Sequence, residues 1–107
     1  MSESLLHFGE AIDLIPENVA LTQIPKGLVT KGTKFKTMRL VLSAGEEIAE
    51  HQAQGELAVV CIAGHIHFLT ADEMHHLGPG TLLCLSAGES HSVKAIEDSV
   101  FLVLVTI

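Results

Sequence analysis

Two stretches decide how this chain reads: GEEIAEHQAQGELAVVCIAG, residues 45–64, and GTLLCLSAGESHSVKA, residues 80–95. The first opens on Gly45, places His51 six residues later and closes on Gly64. The second opens on Gly80, turns at Gly88 and places His91 three residues beyond it. Each couples a glycine turn to a histidine and to an apolar run of strand length. Glycine supplies the backbone freedom a tight turn needs, and β-branched and aliphatic residues suit a pleated, half-buried surface.

Outward from these stretches the same spacing continues. Glycine and proline recur at Pro16, Pro25, Gly27, Gly32, Gly55 and the Gly78-Pro79-Gly80 turn. The segments between them predict strands at 19–24, 34–43, 56–62, 65–70, 74–77, 81–86, 91–96 and 99–107. In 36–42, Met38, Leu40 and Leu42 recur with period two, giving one face to a core. Residues 57–63 and 100–105 are apolar throughout, which predicts cover on both faces, inside the fold or against a second subunit. Glu46, Glu47 and Glu50 read as a solvated loop. Many short strands with glycine turns predict an all-β jelly-roll barrel in one domain, 1–107. Residues 1–18 form an N-terminal extension, with a short helix expected before Pro16.

Composition excludes several functions. The 107 residues are 48% hydrophobic and 18% charged, so the chain buries a core and is not disordered. Six Lys+Arg against thirteen Asp+Glu give a net charge of −7, which repels nucleic-acid backbones and anionic membranes. No apolar run approaches the ~20 residues of a membrane helix. The opening residues, MSESLLHFGEAIDLIPE, carry acids where a signal or transit peptide carries bases, so a cytoplasmic location is expected. Seven histidines outnumber the lysines and arginines, an unusual weight on a residue whose typical pKa is ~6.5. Cys61 and Cys84 lie in apolar runs without CxxC spacing and read as free thiols. Strand parity turns Cys61 inward and Cys84 outward.

The two stretches resemble the two sequence motifs of the cupin superfamily. The first motif is GxxxxxHxH, three or four residues, E, six residues, G; the second is GxxxxxPxGxxHxxxN. Gly45, His51, Gly64, Gly80, Gly88 and His91 match in register, across 45–95. The resemblance implies a double-stranded β-helix, or jelly-roll barrel. It also implies convergence of His51 and His91 in one pocket, where cupins hold a transition metal with two motif-1 histidines, the glutamate and the motif-2 histidine. This chain departs at two of those four ligands: Ala53 stands at the second histidine and Leu57 at the glutamate. Ser86 and Ala95 replace the proline and asparagine.

Two functional readings follow. In the first, His51 and His91, with Gln52 and Gln54 nearby, line a pocket that binds a small polar or anionic molecule without metal. In the second, the chain is a metal-dependent enzyme of dioxygenase, isomerase or lyase type, holding one divalent Zn, Ni, Fe or Mn through His51, His91 and a rescuing Glu56. Ideal parity turns Glu56 away from the pocket, and only a bulge at Gly55 brings it in. A homodimer is the expected assembly, with no nucleic-acid or membrane partner. His67 is expected opposite His76 across a hairpin, a pair of the kind that takes up zinc adventitiously.

Overall fold

The structure, a computed structural model, describes residues 5–107. Among the described residues nine antiparallel strands form two sheets: β1 (Gly27–Lys31), β2 (Phe35–Leu42), β3 (Glu47–His51), β4 (Leu57–Ala63), β5 (Ile66–Thr70), β6 (Met74–Leu77), β7 (Leu82–Leu85), β8 (His91–Ala95) and β9 (Ser99–Thr106). The first sheet runs β1-β2-β9-β4-β7 and the second β3-β8-β5-β6. Their inner faces share a core that includes Leu42, Val59, Cys61, Ile66, Phe68, Val93, Phe101 and Val103, with Met38 and Leu40 packed against it. The period-two face of β2 is therefore the core face. The all-β jelly roll stands as expected.

Three local expectations fail for identifiable reasons. Residues 19–24 do not form a strand. They hold a single 3-10 turn, Leu21–Gln23, and Ile24 packs with Val41 and Val100 on the outer side of the first sheet. Apolar content there serves side-chain burial rather than strand pairing. The first strand lies instead at Gly27–Lys31. The acidic 47–51 segment is strand β3 and not a loop. It sits at a sheet edge with only β8 beside it, so most of its side chains meet water and it needs little apolar patterning. The helix expected before Pro16 is absent from residues 5–15; the part of that expectation that falls on residues 1–4 lies outside the described residues.

The apolar runs in β4 and β9 have a topological cause. Strand β9 is central, hydrogen-bonded to β2 on one side and β4 on the other. Its inner residues Phe101, Val103 and Val105 are buried, and the inner residues of β4 are Leu57, Val59 and Cys61. On the outer side, the N-terminal segment covers the β1–β2 end. Arg39, buried there, donates from Nε to the Pro25 carbonyl at 2.7 Å and from a terminal nitrogen to the carbonyls of Leu14 at 3.2 Å and Asp13 at 3.4 Å. Beyond this cover the registers Leu102↔Val60↔Leu82 and Leu104↔Ala58↔Cys84 lay two apolar rows across the outer face, with Leu82 and Cys84 exposed.

Both cysteines are free; Cys61 is buried and Cys84 exposed. Burial pushes the Cys61 thiol above its ordinary pKa, which removes reactive thiolate as well as access. A disulfide-forming thiol reagent at pH 8 should therefore modify one thiol per native chain and two after denaturation. Two fast-reacting thiols in the native protein would contradict this placement.

Candidate functional site

The gap between the sheets opens at one end as a cavity of about 870 Å³. One wall is β2 and β9, through Met38, Leu40, Phe101, Val103 and Val105; the other carries Ile48, Phe68 and Val93. His51, Gln52, Gln54, Glu56 and His91 border it too, so the pocket and metal candidates named from the two motifs all line one cavity.

His91 faces inward on β8 with Val93 and Ala95, all three buried. Its ring stacks on Phe68, with centroids 5.2 Å apart and 17° between planes. His51 arrives by an irregularity. Along β3, Ile48 pairs with Val93 and His51 with His91, so three residues of β3 span what two residues of β8 span. That extra residue is a bulge at Ala49-Glu50. Without it, strand alternation would put Ile48 and His51 on opposite faces. With it, the His51 and His91 rings lie 4.2 Å apart, centroid to centroid, at 64°. His91 is buried and His51 exposed, so the pair sits at the mouth rather than deep in the barrel.

Each imidazole is oriented the same way. Nδ1 of His51 lies 2.8 Å from the Ala49 carbonyl oxygen, and Nδ1 of His91 lies 3.0 Å from that of Glu89. A carbonyl oxygen only accepts, so in the neutral ring Nδ1 carries the proton and Nε2 keeps its lone pair. The pair therefore offers two fixed Nε2 acceptors. A resident transition metal asks for three or more protein donors. Ala53 and Leu57 supply none, and Leu57 is buried core. Glu56 borders the cavity, but among the described residues no three His, Cys, Asp or Glu side chains converge on a point that would hold a metal ion. The set His51, His91 and Glu56 is thus not assembled, and the donors present do not fit a resident metal.

Outside the cavity, His67 stands directly opposite His76, with ring centroids 4.5 Å apart; His65 lies 6.1 Å from His76 and pairs with Glu97 at 3.1 Å. These histidines occupy the outer face of the second sheet and do not converge either. Two charged cavity residues escaped the sequence reading: Lys31 and Lys36. A signal was there, since Lys31, Lys34 and Lys36 crowd half of the chain's six cationic side chains into one hairpin.

No model of a known protein family and no curated protein matches the sequence. Solved structures do match the fold. An RmlC-like cupin from Desulfovibrio desulfuricans is 24% identical, with a TM-score of 0.75 over 91% of this chain and 96% of its own. A cupin superfamily protein from Desulfitobacterium hafniense is 15% identical, with a TM-score of 0.74 over 92% of this chain and 99% of its own. A DMSP lyase from Ruegeria pomeroyi is 23% identical, with a TM-score of 0.67 over 71% of this chain and 40% of its own. Two antiparallel sheets agree with these likenesses: the chain has the fold of a small cupin domain.

Proposed function

We propose that this protein is a binding module whose His51/His91 cavity takes a small polar or anionic molecule. The observation that carries the reading is the matched orientation of the two imidazoles at the mouth of an apolar cavity, each held through Nδ1 with Nε2 left for a ligand. A cavity of this size with an apolar lining and few polar groups is the usual form of a small-molecule site. The test is to follow the imidazole NMR signals of His51 and His91 while adding glycolate or the neutral acetamide, each of which carries a hydrogen to donate to an Nε2. Saturable shifts at both rings are expected, with the His51 shift lost in His91→Ala. Unmoved rings with both probes would overturn the reading.

A metal-dependent enzyme is the second reading. It rests on the two free Nε2 atoms and needs a third ligand from outside the pair. Stoichiometric metal in protein purified without a His-tag or nickel column, lost in His51→Ala, would favour it.

The protein is further proposed to be a homodimer, joined through the outer face of the first sheet. A second copy laid on the Leu102–Val60–Leu82 and Leu104–Ala58–Cys84 rows about a twofold axis would cover them with the same rows. Light scattering should give a dimer mass for the native chain and a monomer mass for the double variant Val60→Glu, Leu82→Glu. A monomeric native chain at micromolar concentration would refute the dimer.

A further inference from the structure

We infer that Lys31 and Lys36 form an anion subsite at the cavity mouth, and that the ligand is an amphipathic carboxylate carrying a hydrogen-bond donor at its far end. This rests on the binding-module reading and names the ligand class for it.

Four observations combine. First, Lys31 and Lys36 are direct partners across the β1–β2 hairpin. Like charges placed opposite one another in an antiparallel pair destabilise the sheet, and an anion bound between them offsets that cost. Second, no acid supplies that anion: the ion pairs among the described residues join His7 to Glu10, His65 to Glu97 and His75 to Glu73, and none reaches a lysine. Glu56 and Ile107, the last residue of the chain, border the same cavity, and among the described residues no carboxylate lies within ion-pair distance of either lysine. Third, a chain of net charge −7 brings two of its five lysines to this one cavity. A cationic mouth on an otherwise acidic surface focuses anions toward itself.

Fourth, the wall that leads away from the lysines is apolar. Lys36 shares the inner face of β2 with Met38 and Leu40, and its neighbour across β9 is Val105. At ~3.4 Å per residue the path from Lys36 to Leu40 is about 14 Å. Phe68, stacked on His91, continues it on the opposite sheet. A ligand that satisfies every part has an anionic group at the lysines, a ring or chain against this wall, and a hydroxyl or N–H donating to an Nε2 of the histidine pair. A carboxylate suits the subsite because two ammonium groups on adjacent strands can each donate to one of its oxygens.

The probes are 4-hydroxybenzoate, which carries all three features, and 4-hydroxybenzamide, which lacks the charge. Dissociation constants are measured by calorimetry for the native chain and for the double variant Lys31→Met, Lys36→Met. The native chain should prefer 4-hydroxybenzoate by at least about tenfold, since hydrogen bonds to a charged group are the stronger ones. That preference should vanish in the double variant and shrink with added salt. The variant removes a repulsion between exposed or half-buried side chains, so its melting temperature should equal or exceed that of the native chain. Equal affinity of the native chain for both probes, or an undiminished preference in the double variant, would overturn the subsite. If the His51 and His91 signals still respond to glycolate or acetamide in that case, the binding-module reading survives. If the native chain binds neither probe and those signals stay unmoved, both readings fall.

Discussion

Alanine at position 64 should unfold much of the protein at temperatures where the native chain is stable. Gly64 has φ +84°, a conformation that costs an L-residue ~1–2 kcal/mol. Its absent side chain is also filled space. A Cβ there would run into the Asp98 carbonyl oxygen and the Ser99 hydroxyl, and would lie 2.7 Å from the Ser99 Cα. Ser99 cannot yield easily. It is fully buried, its hydroxyl accepts from the His65 N–H at 3.1 Å, and it lies 2.6 Å from the Glu97 carbonyl. Adding the steric cost of overpacking to the backbone cost gives about 2–5 kcal/mol. For a domain of this size that is a fall in melting temperature of at least about 8 °C. Gly80→Ala is the control: Gly80 has nearly the same φ, +86°, with nothing within 4 Å of the added Cβ. Its loss should stay near the backbone cost alone. Equal melting temperatures for the two variants would show that the contacts around Gly64 carry no weight.

Arg39→Met should lose about 2–4 kcal/mol in chemical denaturation. Arg39 is only 7% exposed and has no carboxylate partner among the described residues; its guanidinium is satisfied by the carbonyls of Asp13, Leu14 and Pro25. Hydrogen bonds to a charged group contribute more than neutral ones, and removing the donor leaves part-buried carbonyls unpaired. These three carbonyls belong to the N-terminal segment, so the variant should also become sensitive to proteolysis between residues 5 and 25 while the two sheets persist. Arg39→Lys should recover only part of the loss, because one ammonium cannot reproduce the forked geometry that reaches three carbonyls. Full stability in Arg39→Met would mean that the segment is held by Ile24, Ile15 and Leu21 against Val41 and Val100 alone.

Much of the architecture could be read in advance because the relevant physics is local. Turn glycines divide the chain into strand-length pieces, and the period of two in β2 marks its core face before any partner is known. The demand for glycine at 64 appears in the motif, and the structure supplies its reason in the Asp98–Ser99 backbone. The side of Cys61 and Cys84 also follows from parity. Where local composition was the only guide, it misled. Residues 19–24 look like a strand because their apolar side chains are buried, but burial on the outer face of a sheet needs no ladder. Strand β3 looks like a loop because an edge strand facing water needs few apolar residues.

What the sequence determined by itself, then, is the set of strands that cross the core, the turns between most of them, and the presence of one histidine in each motif. The arrangement of the site came only with the tertiary structure. One inserted residue at Ala49-Glu50 reverses the facing of His51 and sets it beside His91, and no period-two pattern in β3 reports that insertion. Lys31 and Lys36 reach the same cavity because the β1–β2 register and the packing of two sheets carry the hairpin to its mouth, and Arg39 is buried because a distant segment folds over it. The physical reason is common to all three. Side-chain direction in a strand depends on register, and what places each of these side chains lies far along the chain: His91 for His51, β9 for the lysine hairpin, and residues 13 to 25 for Arg39.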